Sequence, residues 1–468
     1  MTRVTSLQLL CSALVILLAT TVALAQSFQI GGDYSIVPRV QMNGAQFYAN
    51  GQLRDPVTLL QERGVTLIRI RLWHTPTEPW HGIDSAVAFA ARCSAQGLAI
   101  LLDIHYSDTW ADPGQQTPPA AWQGLSDTAL RDSMYQYTYN VLSRFRTANA
   151  TPQAVQIGNE ITNGMLWNSG RVDGSWNTPE QWNRFASFLQ SAIRGMHDAI
   201  PAGEIVPEIY LHTDLSGDST RAIAFYRNLQ TRIGSDFTIA LSYYPWWHGS
   251  LAQFRTTVTT LANTFQRPIF IAETAYPWTL SWNDTTFNLV GTSSQLLPGI
   301  PATPDGQAAF LDSVGSIVAA LPNGLGRGIC YWEPAWVSTA SFGSPWENLA
   351  LFDFHGNILL PVANVLQRLA QTSVPESANR IPATFAVSAF PNPFNATISA
   401  KISVPLGEPV QCYVYDSGGR IVYSTLTNFP TTNDISWQWN ASHFAAGTYY
   451  LRVKSGSQNR TIPIIFLK

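Results

Sequence analysis

The sequence predicts an α/β chain, a (β/α)8 TIM barrel followed by a small all-β immunoglobulin-like sandwich. Three observations carry that expectation. Between Gly31 and Gln371, eight short apolar, β-branched runs alternate with amphipathic helical stretches, the pattern of βα units around a parallel sheet. No GxGxxG or GxxxxGK[ST] motif is present, as a doubly wound nucleotide-binding sheet would usually carry. From Thr372 the texture changes to a segment without apolar period, then to short alternating runs separated by Gly, Asn and Pro.

The elements follow in order. Residues 1–25 hold one basic residue, Arg3, an apolar run from Leu9 to Leu18, and Ala23-Leu24-Ala25, the layout of a secretory signal peptide cut after Ala25. The apolar run falls short of the roughly 20 residues a membrane span needs. Barrel strands are expected at 32–36, 66–72, 99–104, 154–157, 205–212, 237–242, 268–272 and 328–332. Asp55-Pro56 reads as an N-cap followed by Pro at the first helical position, and Thr178 to Gln181 matches a capping box. The domains are then a barrel at 26–371, a linker at 372–384 and a sandwich at 385–468. Sandwich strands are expected at 397–404, 410–415, 420–423, 435–439, 447–453 and 461–467.

Composition narrows the function. Of 468 residues, 27 are Lys or Arg and 30 Asp or Glu, so only 12% are charged and the net charge is −3. Ordinary domains carry about 25% charge. Such a chain has no phosphate-neutralising stripe, which excludes nucleic acid as a partner. Cys11 leaves with the signal, and Cys93, Cys330 and Cys412 are odd in number and far apart, so neither a disulfide framework nor a zinc site is expected. The 16 Trp are a surplus of flat rings beyond ordinary core needs.

In a barrel the loops after the strands build the site. Two carboxylates end strands there, Glu160 in AVQIGNEI and Glu273 in IFIAETAYPW. In a chain this poor in charge, a pair of Glu at one rim points to paired acid and nucleophile work. Arg69 and Arg71 share one face of the second strand by the period of two, which makes either a cationic partner for Glu273. Trp110, Trp246, Trp247, Trp278, Trp332 and Trp336 lie at or beyond strand ends. Rings placed there suit the apolar C–H face of a pyranose.

The segments IHYSDTWADPGQ (104–115), IGNEI (157–161), ETAYPW (273–278) and YWEPAW (331–336) resemble the motif set of glycoside hydrolase family 53, the endo-β-1,4-galactanases. GDYS at 32–35, IRIRLW at 68–73 and LALFDFHG at 349–356 support the likeness, which spans residues 31 to about 371. The resemblance implies a retaining mechanism with Glu160 as general acid/base and Glu273 as nucleophile. It favours Arg69 as the partner that keeps Glu273 ionised, while Glu160 is expected to be raised towards neutrality. It further implies Asn159 as donor to the sugar hydroxyl beside the anomeric carbon and Tyr244 as hydrogen-bond partner of the nucleophile. Asp33, Arg71, His105, Asp108, His212 and Asp214 join the expected substrate-binding set, with the tryptophans as subsite walls and Glu333 as a structural carboxylate. No cofactor is required. Family members can hold a structural calcium near residues 279–304, where this chain has too few carboxylates to assign one.

FPNPFN (390–395), VYDSGGR (414–420), AGTYYL (446–451) and the basic end of IIFLK resemble the sorting domain of type IX secretion. That likeness implies a protein released outside the cell or attached to its surface, with the secretion machinery as a partner; a monomer is the default for a secreted hydrolase of this size. The expected substrate is β-1,4-galactan or type I arabinogalactan, the side chains of pectin. Two rivals stand beside it: another retaining β-1,4-glycanase such as a mannanase, against which HYSDTWADP argues, and a surface glycan-binding protein without turnover.

Overall fold

The computed structural model describes residues 28–373, 386–403, 410–427, 434–455 and 458–468. The expected signal peptide and nearly all of the expected linker lie outside them. The chain divides into two compact units, one ending at Val374 and the other spanning Pro375–Lys468.

The first unit is a closed, all-parallel barrel of eight strands. They are β1 (Gln29–Asp33), β2 (Leu67–Leu72), β3 (Ala99–Ile104), β4 (Ala154–Ile157), β5 (Glu208–Thr213), β6 (Thr238–Tyr243), β7 (Ile269–Thr274) and β8 (Gly326–Tyr331). Each pairs with its sequence neighbours, and β8 closes onto β1. All eight expected strands are present, with ends shifted by a few residues. The largest shifts, three residues, are at β1, which runs 29–33 rather than 32–36, and at the start of β5, which begins at Glu208 rather than 205: Ile205 is 91% exposed, and Pro207 has no N–H for a ladder. The principal outer helices are α1 (Pro56–Gln61), α2 (Ile83–Ala95), α3 (Asp127–Thr147), α4 (Pro179–Asp198), α5 (Ser219–Ile233), α6 (Leu251–Phe265), α7 (Pro304–Ala319) and α8 (Leu360–Ser373). Asp55 caps α1 by accepting from the Thr58 N–H. The capping box of α4 is half formed: Thr178 accepts from the Gln181 N–H, but the Gln181 amide turns to the carbonyls of Asn168 and Arg171. A complete box starts α6 at Ser250 and Gln253, where the sequence reading placed none.

Side chains alternate across each strand, so the barrel interior fills in layers. The deep layer is apolar: Leu67, Leu101, Ala154, Tyr210, Ala240, Phe270, Ala272 and Cys330 pack together. Two residues further along the strands, towards the C-terminal rim, stand Arg69, Asp103, Gln156, His212 and Ser242, all buried. Strand β7 breaks the alternation. Ser242 of β6 pairs with Glu273 immediately after Leu241 pairs with Ile271, and the ladder to β8 shifts over the same residues. This bulge lets Ala272 and Glu273 both face inward, which a regular strand would forbid.

The second unit has two antiparallel sheets. Strands β9 (Ala386–Phe390), β10 (Thr397–Ser403) and β13 (Asp434–Asn440) form one. Strands β12 (Ile421–Thr427), β11 (Val410–Tyr415), β14 (Gly447–Ser455) and β15 (Gln458–Phe466) form the other, in that order. Their shared core includes Ile398, Val414, Trp439 and Leu451. Strand β9 was absent from the sequence expectation. Cys93 in α2, Cys330 in β8 and Cys412 in β11 are buried and unpaired. Among the described residues no helix is long and apolar enough to cross a membrane.

Candidate active site

At the C-terminal rim of the barrel a cleft of about 340 Å³ is lined by Arg69, Arg71, His105, Asp112, Asn159, Glu160, Tyr244 and Glu273, with walls of Trp110, Trp247, Trp332, Trp336 and Trp346. Both expected catalytic carboxylates therefore meet in one cavity.

Glu273 is 7% exposed and held at both oxygens. Oε1 lies 2.9 Å from Nη2 of Arg69, and Oε2 accepts from the Tyr244 hydroxyl at 3.0 Å. Arg69 is shared widely. Its Nη1 donates to Asp33 at 2.7 Å, its Nη2 to Asp103 at 2.8 Å and to Asn159 Oδ1 at 2.9 Å, and its Nε to Gln156 at 3.2 Å. One guanidinium thus serves three buried carboxylates. Burial pushes Glu273 up to about 7, because the lowering by Arg69 is offset by the charges of Asp103 and Asp33. The expected Arg69 contact is present, but it does not hold Glu273 within the usual carboxylate range.

Glu160 sits at the end of β4 in the left-handed region, φ 44° and ψ 52°, a conformation uncommon for a non-glycine residue and concentrated at functional sites. Its Oε1 accepts from the Ser242 hydroxyl at 2.6 Å. Burial, then the charge of Glu273, raise its pKa well above the usual carboxylate range. The shift has the expected direction, and Glu160 faces Glu273 across the cleft.

Asn159 offers its Oδ1 to Arg69, which fixes the amide orientation, and one Nδ2 hydrogen goes to the Ala111 carbonyl at 2.8 Å. The second Nδ2 hydrogen is available to a sugar hydroxyl. Arg71 lies under Trp110, 4.0 Å from its ring centroid, and pairs with the buried Glu333 at 3.0 Å. Glu333 is raised to about 8 by burial, and its structural reading fits this pairing.

Several expected sugar contacts turn out to be occupied elsewhere. Both nitrogens of His105 are committed, Nε2 to Asp103 at 3.0 Å and Nδ1 to the Ala111 N–H at 3.0 Å, so the ring borders the cleft without a free polar atom. His212 is fully buried beneath Glu160. Asp108 accepts from the N–H groups of Thr75 and Ala120 and ties loops together. Asp214 accepts from Thr162, and Asp33 from Ser35 and Arg69. Trp246 packs behind Tyr244 and Trp346, and Trp278 packs on Phe354 and donates to the Glu347 carbonyl; neither lines the cleft. Trp247 lines the cleft as expected, Trp346 and Asp112 join it, and the buried Asp103 supports Arg69 from below. Asp103 was legible as a lone carboxylate inside an apolar strand, in period with Leu101 and His105.

Near residues 279–304, Asp284 accepts from the N–H groups of Thr286 and Ser344, and Glu347 from those of Asn283 and Asp284 and from the Ser338 hydroxyl. These carboxylates face hydrogen-bond donors, a setting that does not fit a calcium ion.

Residues 388–466 match the model of a secretion system C-terminal sorting domain. A protein of Niallia circulans described as an "uncharacterized protein in bgaB 5'region" is 40% identical over 342 residues, covering 71% of this chain and 92% of the relative. Arabinogalactan endo-β-1,4-galactanase of Cellvibrio japonicus is 34% identical over 344 residues, 71% of this chain and 89% of the relative. The solved GH53 catalytic domain of Ignisphaera aggregans superposes with a TM-score of 0.68 at 35% identity, covering 74% of this chain and 96% of that one. With residues 29–366 matching the glycosyl hydrolase family 53 model, and Glu160 and Glu273 facing one aromatic cleft, the chain belongs to glycosyl hydrolase family 53.

Proposed function

We propose that this protein is a retaining endo-hydrolase of β-1,4-galactosidic bonds in galactan and type I arabinogalactan. The observation that carries the reading is the division of labour between two carboxylates in one cleft: Glu273 gripped by Arg69 and Tyr244, Glu160 raised and protonated opposite it. The galactanase relative supports the choice of substrate.

In the first step Glu273 attacks the anomeric carbon, the glycosidic C–O bond breaks, and the proton of Glu160 passes to the leaving oxygen. Loss of negative charge on Glu273 then lowers the proton affinity of Glu160. As a carboxylate, Glu160 takes a proton from water while the water oxygen bonds to the anomeric carbon and the Glu273 ester bond breaks. Asn159 donates to the neighbouring sugar hydroxyl, a contact that strengthens in the transition state. The C-terminal unit, matched to a sorting domain, directs the protein through type IX machinery to the outside or to the cell surface.

The test is reducing-end release by residues 26–468 on linear β-1,4-galactan, with mannan, xylan and carboxymethylcellulose in parallel. Release of short galacto-oligosaccharides from galactan alone is expected. Release from another glycan instead would overturn the substrate, and binding without release would overturn the hydrolase.

A further inference from the structure

Beneath the acid/base lies a hydrogen-bonded chain that the two-carboxylate mechanism does not use: Glu160, Ser242 and His212. We propose that Ser242 and His212 are positioning residues that decide which oxygen of Glu160 carries the transferable proton. The proposal deepens the hydrolase reading and rests on it.

The geometry settles the direction of each bond. Ser242 Oγ is 2.6 Å from Glu160 Oε1 and 2.9 Å from His212 Nε2. With Glu160 ionised, the carboxylate only accepts, so the single hydroxyl hydrogen of Ser242 goes to Oε1 and Oγ accepts from His212; with Glu160 protonated, the backbone N–H at Nδ1 keeps the ring hydrogen on Nε2 and preserves the same directions. The hydrogen of His212 therefore sits on Nε2. The other edge of the ring agrees. Nδ1 faces the Glu160 backbone N–H at 3.4 Å and, at 3.0 Å, the Gln156 amide nitrogen, whose two hydrogens are shared with Asp103 Oδ1 at 2.6 Å. Asn159 Oδ1 also lies 3.0 Å from Nδ1, but it already accepts from Arg69 at 2.9 Å and from Gln156 at 3.1 Å. The ring is fully buried, and burial with the nearby charge of Arg69 keeps it neutral.

With Oε1 held as an acceptor, the acid proton belongs on Oε2, to which no protein group donates among the described residues. That oxygen gives its proton to the glycosidic oxygen in the first step and recovers one from water in the second. The hydrogens of Ser242 and His212 stay where they are throughout. Because the His212 ring is anchored by the backbone N–H of Glu160 itself, the device moves with the residue it orients. The charged groups facing Glu160 are Glu273 on β7, Asp214 after β5 and Asp112 after β3. Those facing His212 are Arg69 on β2, Asp103 and His105 at β3, and His248 after β6.

The experiment has two arms on the full mature chain. With isotope-labelled histidine, the nitrogen signals of His212 are assigned by their loss in His212→Asn, and the expected form is Nε2–H with a bare Nδ1 across the titration of Glu160. A wild-type ring protonated at Nδ1 overturns the proposal. In the second arm, Ser242→Ala is compared with Ser242→Thr on phenyl and dinitrophenyl galactobiosides. For Ser242→Ala, kcat/KM on the phenyl substrate falls by about 10-fold or more, the size of one hydrogen bond to a charged group. The dinitrophenyl substrate, whose departure needs no acid, changes little. The basic limb of the pH profile moves to higher pH, because the lost bond favoured the ionised carboxylate, and Ser242→Thr restores both. Equal losses on both substrates with an unmoved limb overturn the proposal. A wild-type chain without turnover would instead overturn the hydrolase reading, and the histidine spectrum would still report the tautomer.

Discussion

Arg69 and Glu273 meet at 2.9 Å, and the same Nη2 that grips the nucleophile also donates to Asp103 at 2.8 Å. The cation is divided, so its hold on Glu273 is weaker than an isolated pair would give.

A pH profile reads that division. Hydrolysis needs Glu273 ionised, and its pKa is pushed up to about 7. Activity is therefore lost as pH falls through neutrality, and it falls again at high pH when Glu160 loses its proton. Asp103→Asn removes one negative neighbour of Glu273, which lowers the pKa and shifts the acid limb of kcat/KM to lower pH. An unmoved limb in that variant would show that Asp103 does not tune the nucleophile.

Stability carries a second signature. Arg69→Met leaves Asp33, Asp103 and Glu273 buried without their shared partner. Removing one side of a buried ion pair costs roughly 3–5 kcal/mol, so a marked fall in Tm by calorimetry is expected. A Tm near wild type would contradict the network.

The nucleophile is tested by Glu273→Gln. Turnover on galactan should fall on the order of 10⁴-fold or more, the scale of losing a nucleophile, while retention on a galactan affinity gel is kept. Near-wild-type turnover would remove Glu273 from the role.

Trp247 is 59% exposed yet lines the cleft, so its ring is free for a sugar and not needed by the core. Trp247→Ala should raise KM on galactan by roughly 5–10-fold, the worth of one stacking contact, with kcat and Tm nearly unchanged. A drop in kcat with constant KM would assign the ring to the transition state instead.

The barrel was legible because apolar β-branched runs and cap residues are local signals, and Glu160 and Glu273 because carboxylates are rare in this chain. Partner choice was not. His105, Asp108, His212 and Asp214 sit at strand ends as expected, yet their polar atoms are taken by backbone N–H groups and side chains from other strands and loops. Apart from Asp103 beside His105, nothing near them in sequence announces those partners. Trp246 and Trp247 show the same limit, since one turn of chain decides which of two adjacent rings meets the cleft. The inward aim of Glu273 depends on a bulge against β6 and β8, a property of three strands together.

Cys93, Cys330 and Cys412 have a practical consequence for handling the protein. Burial pushes the Cys93 thiol up to about 12 and the Cys412 thiol up to about 11, so neither is a ready nucleophile near neutral pH. None of the three is bonded to another. The mature chain can therefore be produced in a reducing cytosol without oxidant or isomerase, and reductants or thiol-alkylating reagents in the buffer should leave fold and turnover intact.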